Sequence, residues 1–169
     1  MPTLTVTPTG SLSLPFSKLA ALIAQSTTFQ TACGVGSNTA ALPFIDYPHW
    51  STDNTGTPDF QVPGCIITDD DELMQRRDIH GSEEGELIVV FALAPNPADN
   101  GNDKDAEIRF RNTIGAILDE MLTLANDSDG NDGHNLDLTG WTKVITPQRS
   151  NPDEYEDDFF FAGFVLGWR

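Results

Sequence analysis

The chain has 169 residues and a mass of 18.4 kDa, enough for one ordinary domain with a buried core and too short for two. Nine Lys and Arg stand against 26 Asp and Glu, a net charge of −17 with a sequence pI near 4.1; this excludes a protein that grips nucleic-acid phosphates or an anionic membrane with a basic face. Ten Phe, three Trp and ample Ile, Leu and Val exclude the disordered class, which lacks apolar surface to offset backbone entropy.

The charge does not exclude a protein that surrounds DNA without holding it. Residues 1–64 carry three acids and one base, whereas 65–169 carry 23 acids and eight bases. Cys33 and Cys65 lie far apart in sequence and outside any C-x-x-C, so they read as small buried apolar residues rather than as a disulfide framework or a zinc site. No apolar run approaches the roughly 20 residues needed to span a bilayer, and the start of the chain lacks a signal-peptide pattern. The expectation is a soluble protein made in a reducing cytoplasm.

Residues 1–14 (MPTLTVTPTGSLSL) alternate Thr and Ser with Leu and Val and are broken by Pro2, Pro8 and Gly10. That pattern extends and cannot form a helix, so it reads as an arm reaching about 45 Å when stretched. Pro15 suits a first helical position, and Leu19, Leu22, Ile23, Ser26, Phe29 and Cys33 recur at three- and four-residue steps, predicting an amphipathic helix that ends near Gly34. Residues 35–63 read as a loop punctuated by Pro43, Pro48, Pro58 and Pro63, yet hold Phe44, Ile45, Tyr47, Trp50 and Phe60, too aromatic for a solvated linker.

Residues 64–68 (GCIIT) read as a short strand running into Asp69-Asp70-Asp71-Glu72, and 86–94 (ELIVVFALA) as the strongest strand, with polar residues 73–85 between them as a hairpin excursion. Residues 95–103 are loop. A helix follows over 105–125, with Ile108, Arg111, Ile114, Ile117, Leu118, Met121, Leu122 and Ala125 at helical spacing and acids in its first turn. Then come a loop at 126–135, a strand at 141–146, a loop at 147–158 and a terminal strand at 159–168 (FFFAGFVLGW). The order α-β-β-α-β-β predicts an α+β domain over 15–169, with two helices packed on one face of a mainly antiparallel four-stranded sheet, preceded by the extended arm 1–14. Leu19, Ile23, Phe29, Ile114, Leu118 and Met121 are the expected core between helices and sheet.

A search for catalytic machinery finds little. There is no G-x-S-x-G, H-E-x-x-H, G-x-x-x-x-G-K-[ST] or G-x-G-x-x-G opening a helix; Gly34-Val35-Gly36-Ser37 follows a helix and reads as its C-cap. Asp127-Ser128-Asp129-Gly130-Asn131-Asp132 resembles the start of a calcium loop. An EF-hand beginning there wants Gly sixth and Glu twelfth, and finds Asp132 and Leu138. A looser cation site in the acidic 127–137 loop stays open as an alternative, beside a solvated turn. The four acids at 69–72 are consecutive, point in alternating directions and lack the nearby Lys of a nuclease, so they read as a charged strand end. His49, His80 and His134 read as surface loop residues. The expectation is no enzyme, no cofactor and no resident metal.

The terminal strand is apolar on both faces, which a sheet covered on one side does not require. Either the aromatic 35–63 segment folds back over the second face, or another subunit covers it. Phe159, Phe161, Phe164 and Trp168, with Tyr47 and Trp50, are the candidate subunit interface.

The element order, the helix bearing Ser26-x-x-Phe29-Gln30 followed by a Gly, and the short strand around Cys65 to Asp69 resemble the tail terminator (tail completion) proteins of long-tailed bacteriophages. The helix with Phe110-Arg111-Asn112-x-Ile114 and the Phe-rich closing strand extend that resemblance over roughly 15–169. The Pro- and Asp-rich loops and the long 35–63 excursion depart from the compact members. The resemblance implies a ring, a hexamer in that class, that caps the tail tube and joins it to the head connector in the virion. Its partners would be copies of itself, the tail tube protein and the head-connector or neck proteins, with genome DNA passing through the lumen without specific binding and no membrane involved. Other neck, connector or minor tail roles share the same features. The acid would either line the lumen, letting phosphate slide, or spread over the outside for solubility.

Overall fold

A computed structural model describes residues 14–46, 62–68, 75–77, 83–96, 103–126, 138–151 and 158–169. The arm up to residue 13, Tyr47, Trp50, the acids at 69–72, the three histidines and the 127–137 loop lie outside these residues.

The predicted helix over 15–34 is two helices. α1 spans Leu14–Gln25, so Leu14 belongs to the helix rather than to the arm, with Pro15 in the first turn, where its missing N–H costs nothing. Ser26 then leaves helical geometry (φ −60°, ψ 119°), and its Oγ accepts the Phe29 N–H at 3.0 Å, capping α2 (Thr27–Ala32). Serine can satisfy the backbone locally, so an unbroken apolar periodicity conceals the break. α2 ends where Gly34 takes φ +69°, with Gly34 N–H donating to Thr31 O and Val35 N–H to Gln30 O. This paired closure is available to Gly without a Cβ penalty.

The 35–63 stretch, expected to be loop, holds α3 (Asn38–Ala41), capped by Ser37 Oγ, a 3-10 turn over Leu42–Phe44 and β1 (Ile45–Asp46). β2 (Gly64–Thr68) falls on its expected residues. The hairpin excursion contains β3 (Gln75–Arg77), so β4 starts early, at Glu83, and runs to Leu93. α4 covers Asp103–Asn126. β5 (Leu138–Arg149) is about twice the expected length, taking residues up to Arg149 from the predicted loop, and β6 is Phe160–Trp168.

The fold is α+β, as expected, but the described residues form four helices and a mixed sheet. Its main path is the five strands β1-β2-β4-β6-β5, and β3 pairs with β4 off that path. β1 is parallel to β2, and the remaining pairs are antiparallel. The expected antiparallel four-stranded core, β2-β4-β6-β5, is therefore present, extended by two strands of two and three residues, too short to carry a periodic sequence signal.

The register assigns the two sheet faces. Cys65, Phe91 and Ala162 share one face, as do Ile67, Val89 and Phe164, and then Leu87 and Leu166. All of them are buried. Against this face pack Leu19, Leu22 and Ile23 of α1, Phe29 of α2 and Phe110, Ile114, Ile117, Leu118 and Met121 of α4, so the six expected core residues are all enclosed. Phe29, Phe91 and Phe164 form a row with ring centroids 6.3 and 6.4 Å apart. Ile108, counted in the helical periodicity, is instead 57% exposed, and Arg111 is a surface residue paired with Glu107.

Candidate functional site

Two interhelix and interstrand ties set the frame. Glu120 on α4 accepts hydrogen bonds from Ser26 Oγ (2.8 Å), the Thr28 backbone N–H (3.2 Å) and the Thr27 and Thr28 hydroxyls. It thereby anchors the start of α2 to a helix more than ninety residues away. Partial burial pushes this carboxyl up, but the donors from Thr28, Ser26 and Thr27 together hold it below its ordinary value. Ser26, Phe29 and Gln30, the residues of the early-helix motif, thus serve packing. Ser26 caps and donates to Glu120, Phe29 fills the core, and Gln30 Nε2 donates to Ala24 O and Asn38 Oδ1.

At the other end of the sheet, Arg149 forks onto Asp158 with two 2.6 Å hydrogen bonds, pairs with Asp103 at the start of α4, and lies 5.8 Å from the Phe160 ring centre. The Arg149 hydrogen bonds hold the Asp158 carboxyl below its ordinary range. Sequence reasoning missed both ties. A Ser-Thr-Thr run starting a helix and a lone acid on the inner side of α4 were the available signals for the first, and nothing local signals the second.

A cleft of about 550 Å³ lies between α2, α4 and the end of β4. Its polar lining is mainly Thr27, Thr28, Thr31, Thr113 and Arg109 over a floor that includes Phe110. The four hydroxyl protons are already committed, Thr31 to Thr27 O, Thr113 to Arg109 O, and Thr27 and Thr28 to Glu120. Among the described residues that line it there is no carboxylate, imidazole or thiol. The thiols elsewhere are also unsuited to attack. Burial pushes Cys33 up to about 12 and raises Cys65 further from reactivity, with Cys33 and Asp46 adding to the Cys65 shift. Among the described residues no group of three or more His, Cys, Asp or Glu could hold a metal ion, and no helix is long and apolar enough to cross a membrane.

The second face of the sheet is different. Ile66, Val90 and Gly163 align across β2, β4 and β6, as do Thr68, Ile88 and Val165, and Phe161 follows beside Ala92. Ile145 of β5 crosses Gly163, so closely that a Cβ there would lie 2.8 Å from Ile145 Cδ1. Ile66, Ile88, Val90, Ile145, Phe161 and Val165 are half-buried, and no described helix packs on them, since all the helical core residues belong to the first face. The candidate interface residues therefore separate. Phe161 lies on this second face. Phe164 and Trp168 face the helices and are buried in the chain's own core, at 4% and 5% exposure, a correction to their placement at an interface. The even-numbered residues of β6 take the core because the register with Phe91 and Val89 puts them there. Phe159 precedes β6, is buried and touches Phe161 at 5.9 Å between ring centres.

No protein-family model matches the chain, and no curated protein matches it.

Proposed function

We propose that the chain is a non-enzymatic structural protein of a phage virion, a ring-forming tail terminator or close neck relative. The observation that carries this reading is the second sheet face: a band of six aliphatic and aromatic side chains across four strands, with no described helix packed on it. Apolar surface of this extent on a strongly acidic chain favours a protein partner over a small ligand. Closed rings of identical copies are a common way to cover such a face.

Size agrees with the role. A chain of 169 residues makes a globule about 40 Å across, and six in contact would leave an opening of roughly 40 Å on the same scale, wide enough for duplex DNA. With −17 net charge, DNA would pass without being held. The ring would end tail-tube growth and offer its other side to the head connector. Among the described residues, the cleft lining offers no carboxylate, imidazole or thiol that would favour an enzymatic reading instead.

The test is light scattering on fractionated protein with negative-stain imaging, alone and with polymerising tail tube protein. Rings, and tubes that stop growing when the chain is added, are the expected result. A chain that stays monomeric and leaves tube length unchanged overturns the reading.

A further inference from the structure

α2 cannot hold its place by helical structure alone. It has six residues, about half the roughly 12 at which an isolated helix begins to persist in water. It is set between two departures from helical geometry, Ser26 before it and Gly34 at φ +69° after it. Within it Phe29 is the one buried side chain, packed edge-on against Phe91 at 6.3 Å between ring centres. Its far end is tied by Gln30 Nε2, which donates to Ala24 O and Asn38 Oδ1. A short segment with a break at each end and one core anchor is the kind of unit that opens locally while the rest of a domain stays folded.

What holds its start is the carboxylate of Glu120. Ser26 Oγ, the Thr28 N–H and the Thr27 and Thr28 hydroxyls all donate to it. Ser26 is 1% exposed and Glu120 half-buried, so water competes little for the bond between them. Four donors around one carboxyl suit its ionised form, which only accepts, and hydrogen bonds to an ionised acceptor are roughly twice as strong as neutral ones. A protonated carboxyl would bring a fifth donor into the cluster and weaken the other four bonds, while Ser26 Oγ already accepts the Phe29 N–H. We infer that Glu120 is an acid-operated latch on α2: ionised, it pins Ser26–Thr28 to α4, and on taking up a proton it lets the start of α2 open about ten times more often while the sheet and α4 stay folded. The device is intramolecular and does not depend on the chain's assembly.

The surrounding helices leave this role to Glu120. α2 and α3 carry no charged residue, α1 carries only Lys18, about two turns before Ser26, and within a turn of Glu120 α4 carries only Asp119, which is exposed. Burial raises the Glu120 carboxyl, and the bonds from Thr28, Ser26 and Thr27 lower it by more. The latch is therefore closed above the ordinary 4.5 and releases as pH falls through the lower folded-state value. Thr27 and Thr28 also line the cleft between α2 and α4, so the same proton loosens one wall of that cleft.

The experiment follows amide hydrogen exchange of the full chain by NMR from about pH 6 to about pH 3, corrected for the intrinsic rate at each pH. The amides read are Thr28, Phe29 and Gln30, which donate to Glu120, Ser26 Oγ and Ser26 O, with Val89 of β4 and Ile117 of α4 as references. Carbon-13 shifts of the Glu120 carboxyl give its titration in the same samples. The expected result is a fall in protection of about tenfold at the three α2 amides, centred on the Glu120 titration, with the two references unchanged. In Glu120→Gln the same low protection should be present at pH 7 and stay level toward acid. Protection lost at all five amides together overturns a local latch. Constant protection through the Glu120 titration, or an acid step that survives in Glu120→Gln, overturns the role of Glu120. The wild-type titration decides by itself if the variant does not fold.

Discussion

β6 has two faces made from one apolar sequence, and they have different fates. Phe160, Ala162, Phe164, Leu166 and Trp168 lie beneath the helices and are buried, whereas Phe161 and Val165 are half-buried on the side that no described helix covers. The inner face is packed with large rings in contact. The outer face is thinned by Gly163 and Gly167, and at Gly163 the side chain of Ile145 fills the place a side chain would take. One face is therefore filled by the helices, and the other holds half-buried apolar side chains on which no described helix packs.

The largest expected effect breaks the inner face. Phe91→Ala removes the middle ring of the Phe29, Phe91 and Phe164 row and should cost about 3–5 kcal/mol in urea unfolding at neutral pH. A loss below about 1 kcal/mol would mean that this row is not the centre of the core.

Next comes the tie that fixes the helices over that face. Glu120→Gln leaves the shape of the side chain and removes its charge, and should cost about 1 kcal/mol at pH 7. The sign with pH follows from a folded-state pKa held below the ordinary 4.5. The wild-type advantage is complete above that value and fades as pH falls through the lower folded-state pKa. Unfolding curves of the two proteins should therefore converge toward acid. A gap that widens there would show that the carboxylate is not held by these donors.

The smallest effect on stability belongs to the outer face. Val165→Ser should change the unfolding free energy by no more than about 1 kcal/mol, yet weaken self-association measured by sedimentation. If instead it unfolds the protein and leaves association unchanged, the roles assigned to the two faces are reversed.

Most of the main elements are legible in the sequence because their signals are local. The spacing of Ile114, Ile117, Leu118 and Met121 predicts α4, and the β-branched run around Val89 and Val90 predicts β4. Turn and cap chemistry predicts the end of a helix near Gly34, where the structure closes α2. What escaped has a common cause. Ser26 breaks a helix without disturbing its apolar period, because a capping hydroxyl satisfies the backbone in place of the helical bond. β1 and β3 are two and three residues long, too short to show a period of their own, and are defined only by their pairing with β2 and β4. The candidate interface residues Phe164 and Trp168 face the helices instead, because alternation in a strand reveals two faces without revealing which of them meets the helices.

The sequence by itself determined that this is an acidic α+β domain with more apolar strand surface than one layer of helices requires. The tertiary structure alone decided which residues make up that surplus. Burial on one face of β6 rather than the other is a matter of register against β4 and of where α1, α2 and α4 come to rest, and both are fixed by contacts between residues far apart in the chain.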